Sequence, residues 1–284
     1  MTGGAVGLVL KDPPCGLVAQ VAPDAERRGF THLLFPELSI PGDGPITGRD
    51  PFVSAAIALG ATARLHAGTA VAGTVFHTAR HLALRAATLQ EQSGGRFVLG
   101  CGVSHGGFAD AVGVPYPTSP LDHVRGYCAE LRTITERLAF GAGFPVWLAA
   151  LGERMAATAA DCADGLILNW VSPEWTRRTV ALATESAGRR PTVAVLLRVG
   201  PRQGLRAAAA RYLGMFGNYT RHFARQDLPD ADAVVDATCA PLDGGAALAE
   251  RAAAYREAGA DVVCLYPADL EPRDIAAFVA GAEI

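Results

Sequence analysis

The chain repeats one pattern of apolar and polar positions along its length. A stretch with helical periodicity ends at a Gly or an Asp-Gly pair, and a short run of β-branched and aliphatic residues follows it. Eight such runs predict strands, near residues 5–10, 32–36, 66–71, 97–101, 145–149, 165–169, 192–199 and 262–265. Continuous apolar runs of this kind are typical of parallel strands that are buried on both faces.

Helical segments separate most of these predicted strands. The segments 78–93 and 152–163 place their apolar residues on one face, as helices on the outside of a barrel do. Eight alternations of strand and helix favour the α/β class and a closed (β/α)8 TIM barrel, with residues 1–284 as a single domain. An open, doubly wound sheet is the alternative, but no G-x-G-x-x-G motif follows the first strand.

Two connections are longer than the others and predict insertions after the fourth and seventh strands. They cover residues 104–121 and 200–242. Within the second, residues 206–225 mix aromatic side chains with arginines and predict a helical segment. This segment would either cap the site or pack as an extra helix on the barrel.

Composition and charge narrow the classes of function. Of the 284 residues, 50% are hydrophobic, and the net charge is −3 with the 25 Lys and Arg residues scattered, which argues against nucleic acid or anionic membrane partners. No export signal or spanning segment is indicated, so we expect a cytoplasmic protein. Six widely spaced cysteines predict reduced packing residues. His77 and His81 stand four apart without a third metal ligand, and we expect solvated helix residues there and no metal.

Functional side chains of such a barrel follow the carboxyl ends of its strands. The positions in question are Glu37, residues 70–74, Ser104, His105, residues 151–154, Asn169, Trp170, Arg198 and Tyr266. Among them, Gly152 joins a strand directly to a helix. Free N–H groups and the positive end of the helix dipole make such a junction suitable for a phosphate.

Four ordered motifs carry a resemblance to a known family. They are Arg28-Gly29-Phe30-Thr31-His32-Leu33-Leu34-Phe35-Pro36-Glu37, Leu65-His66-Ala67-Gly68-Thr69-Ala70-Val71, the stretch from Gly95 to His105, and Pro145-Val146-Trp147-Leu148-Ala149-Ala150-Leu151-Gly152 running on to Ala163-Asp164-Gly165. Together they resemble the luciferase-like monooxygenase family, and in particular its branch of oxidoreductases that use the deazaflavin coenzyme F420.

The resemblance implies a cofactor site and a homodimer. The flat cofactor ring would stack on a bulge after the third strand, where the Ala70-Val71 peptide bond would be cis. The small residues Ala72 and Gly73 would leave room for the ring, and Ser104 would lie nearby. The cofactor phosphate would meet the backbone at Leu151, Gly152 and Glu153, with charge added by Arg154.

Departures from the family pattern bear on the chemistry. Alcohol-oxidising relatives carry a catalytic His directly after an acidic residue of the second strand, whereas Leu38 follows Glu37 here. They also place a carboxylate where this chain has His105, a residue that titrates near neutral pH. We therefore assign His105 and Glu37 as candidate catalytic residues of a reductase. The alternative roles are a hydrogen bond to the cofactor for His105 and a structural anchor for Glu37.

Three functions remain open from the sequence. The first is an F420-dependent reductase that passes hydride to an activated C=C or C=N bond of a small-molecule or natural-product substrate. The second is an FMN-dependent monooxygenase using O2, since one scaffold hosts both cofactors. The third is a barrel that binds cofactor or a partner without catalysis. A composition rich in Ala, Gly and Arg, typical of GC-rich bacteria that make the deazaflavin, favours the first.

Overall fold

Eight parallel strands close into a barrel in the computed structural model, which describes residues 4–37, 48–141, 143–215, 217–242, 247–267 and 270–282. In chain order the strands are β1 (Ala5–Val9), β2 (His32–Phe35), β3 (His66–Thr69), β4 (Ala72–Gly73), β5 (Phe97–Gly102), β6 (Val146–Ala149), β7 (Gly165–Asn169), β8 (Thr192–Gly200), β9 (Cys239–Pro241) and β10 (Val262–Pro267). The barrel closes because β10 pairs with both β1 and β8. The short strands β4 and β9 extend β5 and β8 at one rim.

Helices cover the outside of the barrel. Those formed by the described residues are α1 (Cys15–Arg27), α2 (Pro51–Ala61), α3 (Ala79–Ser93), α4 (Gly106–Ala111), α5 (Pro120–Glu136), α6 (Glu153–Cys162), α7 (Pro173–Ala187), α8 (Arg202–Met215), α9 (Gly217–Ala224), α10 (Ala231–Thr238), α11 (Ala247–Glu257) and α12 (Pro272–Gly281). The predicted (β/α)8 barrel is confirmed, and all eight predicted strands occur within a few residues of their expected positions.

Local sequence explains where these helices begin and end. The α3 helix starts at Thr78, whose hydroxyl accepts a hydrogen bond from the backbone N–H of His81, and it stops at Gly94 in the left-handed conformation. Its apolar face, including Leu82 and Ala86, is fully buried in the large core between helices and barrel. A second core fills the barrel interior and contains Leu34, Trp147, Ile167, Leu196 and Tyr266, among others.

The third strand differs from its predicted extent of 66–71. It ends at Thr69, the Ala70-Val71 peptide bond is cis as predicted, and the chain resumes pairing with β5 through Ala72 and Gly73. The backbone of β3 lies very close to β5, since a Cβ atom on Gly100 would stand 1.9 Å from the carbonyl oxygen of Thr69. Glycine at position 100 is therefore required by this approach.

Both predicted insertions are present at the rim. Residues 104–121 contain α4, and residues 200–242 contain α8, α9, α10 and β9. The aromatic residues of α8 and α9 pack with Trp170 in a satellite core that includes Tyr219 and Phe223. They act as anchors of extra helices, and some of them also reach the central cavity described below.

The predictions for the cysteines and for His77 and His81 have different outcomes. All six cysteines are unpaired, with Cys101, Cys128, Cys239 and Cys264 buried and Cys15 exposed. The described residues hold no group of three or more potential metal ligands from His, Cys, Asp and Glu. None of the helices they form is long and apolar enough to cross a membrane. His81 is exposed as expected, but the expectation for His77 was wrong, because its side chain is only 15% exposed and contacts Glu37.

Candidate functional site

A cavity of about 580 Å³ opens at the carboxyl ends of the barrel strands. The predicted site residues that line it are Ala70, Val71, Ser104, His105, Leu151, Gly152, Glu153 and Arg154. A smaller cavity of about 100 Å³, here called the inner cavity, shares Val71, His105 and Tyr219 with the larger one and also contacts Glu37 and Gly73. One predicted residue lies elsewhere: the side chain of Ala72 is fully buried in the core between barrel and helices, because alternate residues of β4 face opposite sides.

Glu37 fastens the bulge that separates the two cavities. Its Oε2 accepts a hydrogen bond from the backbone N–H of Gly73 at 2.7 Å, and its Oε1 lies 2.7 Å from Nε2 of His77. The carboxylate therefore ties the end of β2 to the segment that follows the cis bond and to the loop before α3. Leu38, the residue whose identity set this chain apart from alcohol-oxidising relatives, lies outside the described residues.

Small residues form one wall of the larger cavity beside the bulge. A Cβ atom on Gly102 would stand 3.0 Å from Cβ of Ala149 and 3.3 Å from Cγ2 of Val71. The wall therefore has little room for a side chain at position 102. It is apolar and nearly flat, and it is formed by Ala70, Val71, Gly102, Ala149 and Ala150. A flat aromatic ring is the kind of group that such a wall accommodates.

The opposite end of the larger cavity is cationic. Helix α6 begins at Gly152 with no side-chain cap, so the first N–H groups of the helix are left for another acceptor. Arg154, Arg221 and Arg225 line the same region, and a Cβ atom on Gly152 would stand 2.9 Å from Nη1 of Arg225. Glu153, the carboxylate among the described residues that line this region, is paired with Arg178 at 2.6 Å. This arrangement can bind a phosphate or another multiply charged anion.

His105 lies between the two cavities, at the start of α4. Nδ2 of Asn218 is 3.2 Å from Nδ1 of His105, and the rings of Phe108 and Tyr219 lie 5.5 and 5.6 Å from the imidazole. Because an amide nitrogen can only donate, this contact places the ring proton on Nε2. Burial lowers the pKa of His105, so the imidazole is neutral at pH 7.

The inner cavity contains a chain of polar groups. Nη1 of Arg198 donates a hydrogen bond to Oδ1 of Asn169, and Nδ2 of Asn169 donates one to the hydroxyl of Tyr219 at 3.0 Å. Burial raises the pKa of Tyr219, so its hydroxyl stays protonated. Tyr212 and Tyr266 complete the polar part of the wall.

Sequence reasoning found some of these residues and missed others. Asn169, Arg198 and Tyr266 were indicated by their position at strand ends. Asn218, Tyr219 and Arg221 belong to α9, and Arg225 directly follows it. None of the four was predicted as a site residue, because only the packing of this part of the long insertion against the barrel brings them to the cavity. The mixture of aromatic and arginine residues in 206–225 was the available signal.

The fold and the site define a class: a parallel α/β barrel whose strand ends present an apolar wall next to a cationic pocket. Residues 5–262 match the family of luciferase-like monooxygenases, and the chain belongs to that family. The predicted family is thereby confirmed.

Three similar proteins illustrate the range within this family. The chain is 26% identical over 193 residues to a 5,10-methylenetetrahydromethanopterin reductase from Methanolobus tindarius. The match covers 61% of this chain and 57% of the relative, so the chain aligns with little more than half of that protein. A solved F420-dependent secondary alcohol dehydrogenase with an F420-acetone adduct has a TM-score of 0.77 at 15% identity, covering 98% of both chains. A riboflavin lyase solved with modified FMN has a TM-score of 0.70 at 12% identity, covering 98% of this chain and 90% of the other.

Proposed function

We propose that the chain is a coenzyme F420-dependent oxidoreductase, and more specifically a reductase that acts on an activated C=C or C=N bond of a small-molecule or natural-product substrate. The observation that carries the proposal is the two-part cavity, in which a smooth apolar wall at the cis bulge leads to a cationic pocket at the start of α6. The similar structure solved with an F420-acetone adduct supports the choice of cofactor, and the similar 5,10-methylenetetrahydromethanopterin reductase supports the choice of a reductase.

The residues present fit such a cofactor. Val71, Gly102 and Ala149 would receive the ring, with Ser104 at its edge, and the N–H groups of Glu153 and Arg154 would receive the phosphate together with Arg225. When bound, the cofactor supplies the hydride. The chain supplies position and the exclusion of water, which is why few protein acids are required.

His105 is the residue that we propose to manage the proton. It borders both cavities and carries its ring proton on Nε2. Since burial lowers its pKa, only a small fraction is cationic at pH 7, and an imidazolium donor would be most abundant in acid. We therefore expect kcat/KM to rise as the pH falls towards this lowered pKa, and the rise to disappear in His105→Gln. We assign Glu37 to positioning the bulge, since both of its oxygens are engaged by Gly73 and His77.

An FMN-dependent monooxygenase is the second candidate. One set of observations favours FMN and another favours coenzyme F420. The family and a similar structure solved with modified FMN support FMN. The pocket holds three arginines, however, whereas a phosphate monoester carries at most two negative charges. The excess of positive charge favours a cofactor with a longer anionic tail. A non-catalytic barrel is the third candidate, and cofactor turnover would eliminate it.

The test is a pair of titrations with oxidised coenzyme F420 and with FMN, each followed by fluorescence quenching. Gly152→Asp would put a carboxylate at the start of α6 and against Arg225, and we expect it to weaken binding of the preferred cofactor at least tenfold. Gly126→Asp is the matched control, because position 126 is exposed on α5 and a Cβ atom there meets nothing within 4 Å.

Each result leads to a different conclusion. Tight F420 binding that only Gly152→Asp removes supports the reductase. Tight FMN binding with weak F420 binding supports the monooxygenase, and binding of neither refutes both. The homodimer and the cytoplasmic location stay predictions, and light scattering after size exclusion measures the first.

A further inference from the structure

Arg198 is a buried cation without a carboxylate partner among the residues that the structure describes. Its residue surface is only 4% exposed, and it lies on β8 facing the inner cavity. The guanidinium stands over three aromatic rings, 4.0 Å from the centre of Trp170, 4.7 Å from Tyr266 and 5.3 Å from Tyr212. These rings hold the group in place but leave its positive charge unneutralised.

The charges around the inner cavity do not compensate Arg198. Within the described residues no carboxylate lies within 4.0 Å of its nitrogens, and Glu37, on the same cavity, is engaged by His77 and Gly73. The guanidinium donates a hydrogen bond to Asn169, which uses one of its five N–H donors. Buried charges in proteins are normally paired, because an unpaired charge away from water is costly.

We infer that Arg198 binds a carboxylate group of the substrate in the inner cavity. This inference deepens the proposed function and rests on it, because it names the substrate class of the same site. The planar fork of a guanidinium matches a planar carboxylate, to which it can donate two parallel hydrogen bonds. The cavity volume of about 100 Å³ equals roughly three water molecules at ~30 Å³ each, enough for a carboxylate and the carbon next to it.

The placement also orients the rest of such a substrate. The inner cavity and the larger one meet at Val71 and His105. A carboxylate held at Arg198 therefore directs the atoms attached to it towards the bulge and His105. Substrates of the class would be small unsaturated or imino acids, because the proposed cofactor takes up the larger cavity.

Calorimetric titration with crotonate and crotonamide tests the inference, since the two probes have the same shape and differ in charge. The protein is titrated alone and saturated with coenzyme F420, in Hepes without chloride. We expect crotonate to bind at least tenfold more tightly than crotonamide, and Arg198→Gln to remove this preference. Arg206→Gln is the matched control, because it removes an exposed arginine that pairs with Asp232 at 3.0 Å.

A second variant covers the case in which Arg198→Gln fails to fold. Asn169→Asp places a carboxylate on the hydrogen-bond partner of Arg198 and neutralises it in place. We expect this variant to lose the preference for crotonate as well, while circular dichroism stays unchanged.

The outcomes separate this inference from the proposed function. Equal or absent binding of the two probes in both states of the protein overturns it, as does a preference that survives Arg198→Gln and Asn169→Asp. If Arg198→Gln weakens coenzyme F420 but not crotonate, Arg198 belongs to the cofactor site and the inference is wrong. If the cofactor does not bind but crotonate does so through Arg198, the proposed function fails while the carboxylate site stands.

Discussion

Glu37→Ala is the substitution that best tests how the bulge is held. The carboxylate makes two hydrogen bonds, to the backbone N–H of Gly73 and to His77. Hydrogen bonds to charged groups contribute about 1.5–3 kcal/mol each. Since the Glu37 side chain is 19% exposed, the lower end applies, and the two bonds together amount to about 3 kcal/mol of unfolding free energy.

The loss should affect cofactor binding as well as stability. Without the Glu37 side chain, the segment from Val71 to Gly73 keeps its pairing with β5 and its backbone hydrogen bonds but loses the acceptor of the Gly73 N–H group, so the apolar wall becomes less well ordered. We expect affinity for coenzyme F420 to fall at least tenfold. Urea unfolding measures the loss of stability, and an unchanged slope of unfolding free energy against urea concentration shows that the two proteins can be compared as two-state systems. Fluorescence titration measures the loss of cofactor affinity.

Two control variants make the result interpretable. Glu91→Ala removes a glutamate exposed on α3 and should change stability by less than about 0.5 kcal/mol. Glu37→Gln keeps the shape and one acceptor oxygen, so it should retain most of the stability and binding. An unfolding free energy of Glu37→Ala within 0.5 kcal/mol of the wild type would refute the anchoring role. Full binding but lost turnover in Glu37→Gln would identify Glu37 as a catalytic residue instead.

Three further predictions concern the cationic pocket, the barrel and acid stability. Arg225→Gln should weaken binding of the phosphate-bearing cofactor about tenfold, with a smaller effect at high salt, in the same fluorescence titration. Gly100→Ala should lower the melting temperature strongly or prevent folding, because its Cβ atom would stand 1.9 Å from the carbonyl oxygen of Thr69, whereas Gly126→Ala, at an exposed position inside α5, should leave the melting temperature unchanged or raise it slightly. Burial, with a smaller contribution from nearby His66, lowers the pKa of His32 to about 4. Because the unfolded chain binds the proton more readily, this contribution to stability is complete above pH 6.5, and about 2 kcal/mol of it is lost by pH 5. In urea denaturation measured between pH 6.5 and pH 5, the unfolding free energy of His32→Gln should therefore fall less than that of the wild type.

The barrel could be predicted from the sequence because its signals are local. Apolar runs of four to nine residues recur between helical segments, and each run is buried on both faces, so composition alone marks the strands. The small error at the third strand has a local cause: residues 70 and 71 continue the apolar run but form the bulge instead of the ladder. Once a barrel was predicted, the residues that follow its strands could be predicted to lie together, and Glu37, His105 and Gly152 do lie at one rim.

Contacts between distant segments were decided by the tertiary structure alone. The pairing of Glu37 with His77 joins residues 40 positions apart, and the contact of Asn218 with His105 joins residues 113 apart. No periodicity in the chain reports such contacts, because the first depends on how the end of β2 meets the loop before α3 and the second on how α9 packs over the rim. The burial of Arg198, which has no carboxylate partner in the described part of the chain, arises in the same way, since desolvation is a property of the assembled core and not of the residue type.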